Sequence, residues 1–211
     1  MACTAGIRLL VATLNPGKLV EMRELLGAPP WQIEGLPAGA PDFEETGSSF
    51  AENARAKALF RSSRTDMPVV ADDSGLVIDA LGGEPGIHSA RYLDPDMAQT
   101  DRNRAVIAKL AGIAPERRTA RFVCHLVLAH RGEIVHETEG RCEGIIAEEE
   151  RGRDGFGYDP IFLVPDLGLT FAEIPAAEKD ARSHRGVAAR AMAEFLAKWR
   201  PSAASDDRLQ R

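Results

Sequence analysis

The sequence predicts an α/β fold built on a mixed sheet, and three observations carry that prediction. An apolar strand-like run, IRLLVAT, passes through Asn15-Pro16-Gly17-Lys18 into a segment with helical apolar spacing. Two longer strand-like segments, ARFVCHLVLAH and EIVHETEGRCEGIIA, meet at Arg131-Gly132 as the arms of an antiparallel hairpin do. Near the C-terminus Val187, Ala191, Met192, Phe195, Leu196 and Trp199 recur at helical spacing. Strands alternating with helices, together with a long hairpin, call for parallel and antiparallel pairs in one sheet.

Each element has its own local signal. The first strand, 7–13, leads into a helix whose apolar side takes Leu19, Met22, Leu25 and Leu26. WQIEGL (31–36) reads as a second strand, followed by a loop rich in proline and glycine that runs to Gly47. Ser49 and Glu52 match a capping box, which starts a helix from about Phe50 to Arg61. Pro68 to Ala71 and Leu76 to Leu81 read as short apolar segments on either side of Asp72-Asp73-Ser74-Gly75. Thr100 is the expected cap of a helix reaching about Leu110. Imperfect alternation in both hairpin arms predicts strands covered on each face. No linker divides the chain, so residues 1–200 read as a single domain, with 201–211 (PSAASDDRLQR) as a flexible tail.

Composition narrows the function classes. The 211 residues are 44% hydrophobic and carry a net charge of −6, which disfavours a protein that grips a nucleic acid polymer over a broad basic face. Cys3, Cys124 and Cys142 have neither metal-ligand spacing nor an even count for disulfides, as expected in a reducing, cytoplasmic compartment. The apolar run Ile7 to Ala12 is too short for a membrane span or signal core, so no membrane partner is expected.

Four segments carry groups suited to chemistry. Thr13-Leu14-Asn15-Pro16-Gly17-Lys18 sets a glycine and a lysine where a strand hands over to a helix, a place where backbone N–H groups can meet an anion. It matches neither GxxxxGK(S/T) nor GxGxxG, and a polar turn with a surface lysine reads the same way. Asp72-Asp73 offers carboxylates to a hard cation such as Mg²⁺, or an Asx turn onto Ser74-Gly75. Side chains alternate along extended chain, so one of the two faces a given site and a second acid comes from elsewhere, with Glu44-Glu45 as the candidate. From Gly152 to Pro160, glycines surround Phe156 and Tyr158, whose rings can stack on a base or plug the core. Asp159, before Pro160, is expected in extended chain. Ser183 reads as an N-cap, placing His184 and Arg185 in a first helical turn where cations oppose the macrodipole, close in sequence to Glu178-Lys179. An anionic or carbonyl-bearing ligand would account for that pair, as would exposure to solvent. Lys57 shares a helix face with Asn53.

Taken in order, TLNPGK, EETGSSFAENARAKA, ADDSGLVIDALGGEPGIHSARY, FGYDPIF and SHRG resemble the inosine triphosphate pyrophosphatase family, over residues 13–186. Leu14 stands where that family often has glycine, and His88 where it often has tyrosine. The resemblance implies an elongated mixed sheet in two lobes with a central cleft, a homodimer, and Mg²⁺-dependent hydrolysis of ITP, dITP or XTP to the monophosphate and pyrophosphate. It assigns substrate binding to Thr13, Leu14, Asn15, Pro16, Gly17, Lys18, Lys57, Ser74, Phe156, Gly157, Tyr158, Asp159, Lys179, His184 and Arg185. Asp73 is implied as general base and metal ligand, with Glu44 over Glu45 as the second ligand, while Asp72 is expected to steady a turn or the surroundings of the site. A non-catalytic nucleotide-binding module of the same fold is the alternative, and its sign would be a lost carboxylate or phosphate lysine. Asp73, Lys18 and Lys57 are all present. A Maf-like pyrophosphatase is disfavoured by the SHRG and FGYD segments.

Overall fold

The computed structural model describes residues 6–201, so Cys3 and residues 202–211 of the expected tail lie outside it. Among the described residues seven strands form one sheet in the order β2-β1-β3-β4-β5-β6-β7. The strands are β1 Ile7–Val11, β2 Trp31–Gly35, β3 Val69–Ile78, β4 Thr119–His130, β5 Glu133–Ile146, β6 Phe162–Val164 and β7 Leu169–Thr170. β1 is parallel to β2 and β3, and every later pair is antiparallel, which gives the mixed sheet that the sequence predicts. Five α-helices flank it: α1 Pro16–Leu26, α2 Phe50–Ser62, α3 Gln99–Lys109, α4 Ala176–Arg182 and α5 His184–Lys198.

Strand parity sorts the core. Val70 of β3 and Cys124, Leu126 and Leu128 of β4 pack with Met22 and Leu26 of α1 and Met192 and Leu196 of α5 on one face. Val69, Ala71, Val127 and Ala129 meet Ala54 and Ala58 of α2 on the other. A third cluster, with Leu76, Ile78, Phe122, Val106 and Phe171, occupies the far half of the hairpin under α3. Residues 72–75 lie where these clusters meet. The hairpin turns at Arg131 and Gly132, whose φ angles of 54° and 79° are the left-handed pair that a two-residue turn of matching twist requires.

Several elements differ from the sequence expectation. β3 is one continuous strand through Asp72-Asp73-Ser74-Gly75, with no turn inside it, because β4 pairs with it from Val69↔Ala129 to Ile78↔Ala120. Ser49 caps α2 as expected, but the Glu52 carboxylate reaches back to Ser48 N–H and Oγ, both 2.8 Å, and not to the Ser49 N–H. Thr100 lies within the first turn of α3, whose N-cap Ala98 has no side-chain bond to offer. β4 is covered on both faces, whereas much of β5 is exposed or half-buried, with charged residues such as Glu133, Glu139 and Glu143 that blunt its long free edge. In α5 the buried stripe runs through Ala188, Ala189, Met192 and Leu196, while Val187 and Ala191 face solvent. The short helix α4 carries neither a side-chain cap nor an apolar stripe to announce it.

Candidate active site

The β1–α1 turn is stiffer than its composition suggests. Asn15 caps α1 by accepting the Lys18 N–H at 3.1 Å, and Pro16 occupies the first helical position. Gly17 is needed for a ring: a Cβ there would lie 2.7 Å from Cδ1 of Phe156. Lys18 is not a mobile surface charge, since its Nζ sits 2.7 Å from Asp72 Oδ2. Leu14 is 55% exposed.

Along β3, Asp72 and Ser74 have the parity of Val70 and face α1 and α5, whereas Asp73 has the parity of Val69 and Ala71 and faces α2. The contacts follow that division. Asp72 pairs with Lys18 and accepts a bond from Ser74 Oγ at 3.1 Å. Asp73 accepts from Asn53 Nδ2 at 2.9 Å. Asp72 therefore steadies no turn, and of the two expected roles it has the other, holding Lys18 and Ser74 beside the site. Burial works against its charge, yet Lys18, Arg185 and Lys57 together hold its carboxyl well below the usual range. Burial, reinforced by the negative charge of Glu45, pushes the Asp73 carboxyl up to about 6. Two adjacent aspartates thus have opposite character.

Glu45, rather than Glu44, is brought to this face. Glu45 pairs with Lys57 and lies 3.7 Å from Arg91, while Glu44 is exposed. Lys57 also donates to the Asp72 carbonyl at 2.8 Å, across the open side of β3. That side is open because the β1–β3 pairing stops at Val11↔Val70. Further along, Ser89 of the 3-10 segment Gly86–Arg91 closes it again by accepting the Leu76 N–H at 2.9 Å. Gly75 allows that approach, since a Cβ would lie 2.4 Å from Ser89 Oγ and 2.5 Å from the Gly86 carbonyl.

On the Asp72 face a cavity of about 270 Å³ is lined by Asn15, Lys18, Ser74, Phe156, Gly157, Tyr158, Asp159, Lys179, His184 and Arg185 from the sequence assignments. Gly75, Ser89, Ala90, Gln99 and Phe122 complete the lining. Thr13, Leu14, Pro16, Gly17, Lys57, Asp73 and Glu44 do not line it. The two rings of the aromatic loop divide the roles that the sequence left open. Tyr158 is a core plug whose hydroxyl donates to the Ser89 carbonyl at 2.9 Å, while half-buried Phe156 faces Lys179 and Arg185, 4.8 and 5.5 Å from its ring centre. Asp159 begins a 3-10 turn, Asp159–Ile161, in place of extended chain. Its carboxylate is fixed by the Phe156 N–H at 2.8 Å and Lys179 Nζ at 2.7 Å.

Ser183 caps α5 as expected, and both His184 and Arg185 are buried. Glu21 of α1, which no motif singled out, takes Lys179 at 2.9 Å and also binds Arg185. Its only sequence signal is its place one turn after Lys18 on the same helix. Arg185 reaches Ser74 Oγ at 3.0 Å, so a chain of polar contacts joins Lys18 to Lys179. His184 stacks on Phe122, with ring centres 4.7 Å apart and planes 11° from parallel. Burial first, then Arg185 and Lys179, hold its pKa far below the ordinary value, so the imidazole is neutral. His184 Nδ1 and Arg185 Nε are buried with no hydrogen-bond partner among the described residues. Unpaired groups of this kind suit a polar ligand.

The chain matches the model of the Ham1 family over residues 9–195. It is 51% identical over 184 residues to a dITP/XTP pyrophosphatase of Gloeobacter violaceus, covering 86% of this chain and 90% of that protein. A dITP/XTP pyrophosphatase of Methylococcus capsulatus is 45% identical over 194 residues, or 90% and 96% of the two chains. Among solved structures, a HAM1 protein from Coxiella burnetii superposes with a TM-score of 0.81 at 39% identity, over 92% of this chain and all of that one. Matched over nearly its whole length, with its fold and its ordered motifs in agreement, the chain belongs to the Ham1 family.

Proposed function

We propose that this chain hydrolyses non-standard purine nucleoside triphosphates, ITP, dITP and XTP, to the monophosphate and pyrophosphate, and so removes deaminated purines from the nucleotide pool. Relatives at 41–51% identity bear the name dITP/XTP pyrophosphatase. One observation carries the reading at the level of chemistry. A pocket with a neutral buried imidazole and two buried cations lies on one face of β3, and a carboxyl raised to about 6 lies on the other, with the strand's open edge between them.

The base enters the cavity against Phe156. Arg185, Lys179 and an imidazole N–H of His184 present donors to the 6-oxo group, and the 6-amino group of adenine meets donors where it needs acceptors. Ser74, Asn15 and Lys18 line the cavity, and Lys18 on the Asp72 carboxylate and Lys57 on the Asp72 carbonyl neutralise phosphate charge beside it. On the far side Asp73, deprotonated above pH 6, accepts a proton from the attacking water. Asn53 fixes the orientation of that carboxylate.

The residues present fit a Mg²⁺ ion. Burial first, and then the negative charge of Glu45, raises the Asp73 carboxyl, and a divalent cation beside the two carboxylates would offset both. Such an ion completes its shell with water and substrate phosphates, so two protein carboxylates are enough to seat it. Asp73 and Glu45 would hold it, and when bound it supplies charge neutralisation at the reacting phosphate. The protein acts in the cytoplasm, as a homodimer, on free nucleotides. No helix among the described residues is long and apolar enough to cross a membrane.

Incubation with ITP, XTP, GTP and ATP, with and without Mg²⁺, tests the proposal. Pyrophosphate release from ITP and XTP at rates about 100-fold or more above ATP, and dependent on Mg²⁺, is expected. Release of orthophosphate, or equal rates on all four, would overturn it.

A further inference from the structure

Gln99 borders the cavity at the first position of α3, and no motif drew attention to it. Its neighbours fix which way its amide points. Arg102 carries donors alone, and its Nη1 lies 3.0 Å from Gln99 Oε1, so the oxygen occupies that side. Gln99 Nε2 then donates to Asn103 Oδ1 at 2.9 Å. Asn103 cannot be reversed, because its Nδ2 meets two acceptors, Glu150 Oε1 at 2.9 Å and the Gly157 carbonyl at 3.2 Å. Both supporting residues are immobilised. Asn103 is 1% exposed, and Arg102, at 4%, is pinned to the Tyr92 and Asp94 carbonyls at 3.0 and 2.8 Å. The half-buried Gln99 amide is thus oriented, with Asn103 as the one partner of its Nε2 among the described residues.

The position of that amide assigns it a part of the purine. Lys179, His184 and Arg185 reach the cavity from α4 and α5, whereas the substantial packing of α3 is against neither helix. A base whose 6-oxo edge is held from α4 and α5 meets α3 with another edge. At purine position 2, hypoxanthine carries hydrogen, xanthine an oxo acceptor and guanine an amino donor. A fixed N–H donor pairs with the oxo group and opposes the amino group.

We propose that Gln99 is the specificity-determining residue for purine position 2, favouring a 2-oxo over a 2-amino group, with Arg102 and Asn103 as the positioning residues that orient its amide. The proposal rests on the function inferred above and adds the means by which GTP is rejected. Its test compares kcat/KM for ITP, XTP, GTP and dITP in the wild type, Gln99→Glu and Gln99→Met. Gln99→Glu, an acceptor in place of a donor, lowers the XTP:ITP ratio about tenfold or more and raises GTP:ITP by a similar factor. Gln99→Met lowers XTP:ITP with a smaller rise in GTP:ITP. Both ratios staying within about twofold of wild type in both variants would overturn the proposal. So would a change confined to dITP:ITP, which would place Gln99 on the ribose. Where turnover by a variant is too slow to measure, equilibrium binding of IMP, XMP and GMP gives the same ratios. Failure of the wild type to release pyrophosphate from ITP or XTP would instead sink the proposed activity, and the monophosphate binding ratios would still decide the role of Gln99.

Discussion

At the scale of single residues, two neighbouring aspartates of one strand have opposite effects on stability. A carboxyl whose folded pKa lies above its unfolded value favours the folded state while protonated, and that contribution is lost as pH rises through the folded pKa. For Asp73, raised from 3.8 to about 6, the loss runs between pH 4 and 6 and amounts to roughly 2–3 kcal/mol. Asp72 behaves in the other sense. Its folded pKa is depressed, so its contribution is present above the unfolded value near 4 and disappears as pH falls below it. At pH 7.5, Asp73→Asn is therefore expected to raise the melting temperature by a few degrees while cutting turnover about 100-fold or more. Asp72→Asn strands Lys18 without its counter-ion, leaves Arg185 with Glu21 alone, and is expected to lower stability by about 2–4 kcal/mol. Thermal denaturation of the two variants side by side checks this, and shifts in the same direction would refute the division of roles. The difference between Glu44 and Glu45 belongs to the same scale. Two identical side chains adjoin in sequence, and what selects Glu45 is its pairing with Lys57 and Arg91, which come from segments 12 or more residues away.

Between elements, the most consequential contact is the one that seats α5 on β5. A Cβ on Gly140 would lie 2.0 Å from the His184 carbonyl and 2.6 Å from the Ala188 nitrogen, both backbone atoms of α5. Gly140→Ala must therefore displace the helix turn that carries His184 and Arg185, at about 1–3 kcal/mol. The expected kinetic mark is a raised KM for ITP with a smaller change in kcat, since the displaced groups hold the base. Gly144 supplies the control. A Cβ there meets Phe162 at 2.5 Å and the Leu163 carbonyl at 2.6 Å, neither of which lines the cavity, so Gly144→Ala loses comparable stability with a smaller rise in KM. Equal KM values in the two variants would remove the claim that this contact positions the base-binding turn. Elements of this kind show how far the sequence could be read. Asn15, Ser49, Ser183 and Arg131-Gly132 act through bonds to their own neighbours, so the starts of α1, α2 and α5 and the hairpin turn were legible. The continuity of β3 was not, because its cause lies in residues 120–129 of β4 and in lysines from α1 and α2. Glu21 and Gln99 are ordinary helix-surface types, and their partners come from up to 164 residues away or from a cavity that exists once the chain has folded.

For the molecule as a whole, the site and the core share the same strands. β3 sends Val70 to the α1–α5 face, Val69 and Ala71 to the α2 face, and Leu76 and Ile78 to the far cluster. β4 does the same with Leu126, Val127 and Phe122. Opening any one cluster therefore exposes a strand that the other two need, and no seam is left along which residues 6–201 could melt in halves. The single domain expected from the sequence thus predicts one calorimetric transition, with matching calorimetric and van't Hoff enthalpies. The cavity draws on the start of α1, β3, α3, the aromatic loop, α4 and α5, so a bound nucleotide ties together segments from Asn15 to Arg185. Bound at 100 times its dissociation constant, IMP would add about 2.7 kcal/mol, which for a chain of this size moves the whole transition by roughly 5–10 °C. Two transitions, or a ligand shift confined to part of the unfolding heat, would show that the elements around the cavity belong to separate cooperative units. Because the transition is counted first without ligand, that outcome is decided independently of whether IMP binds.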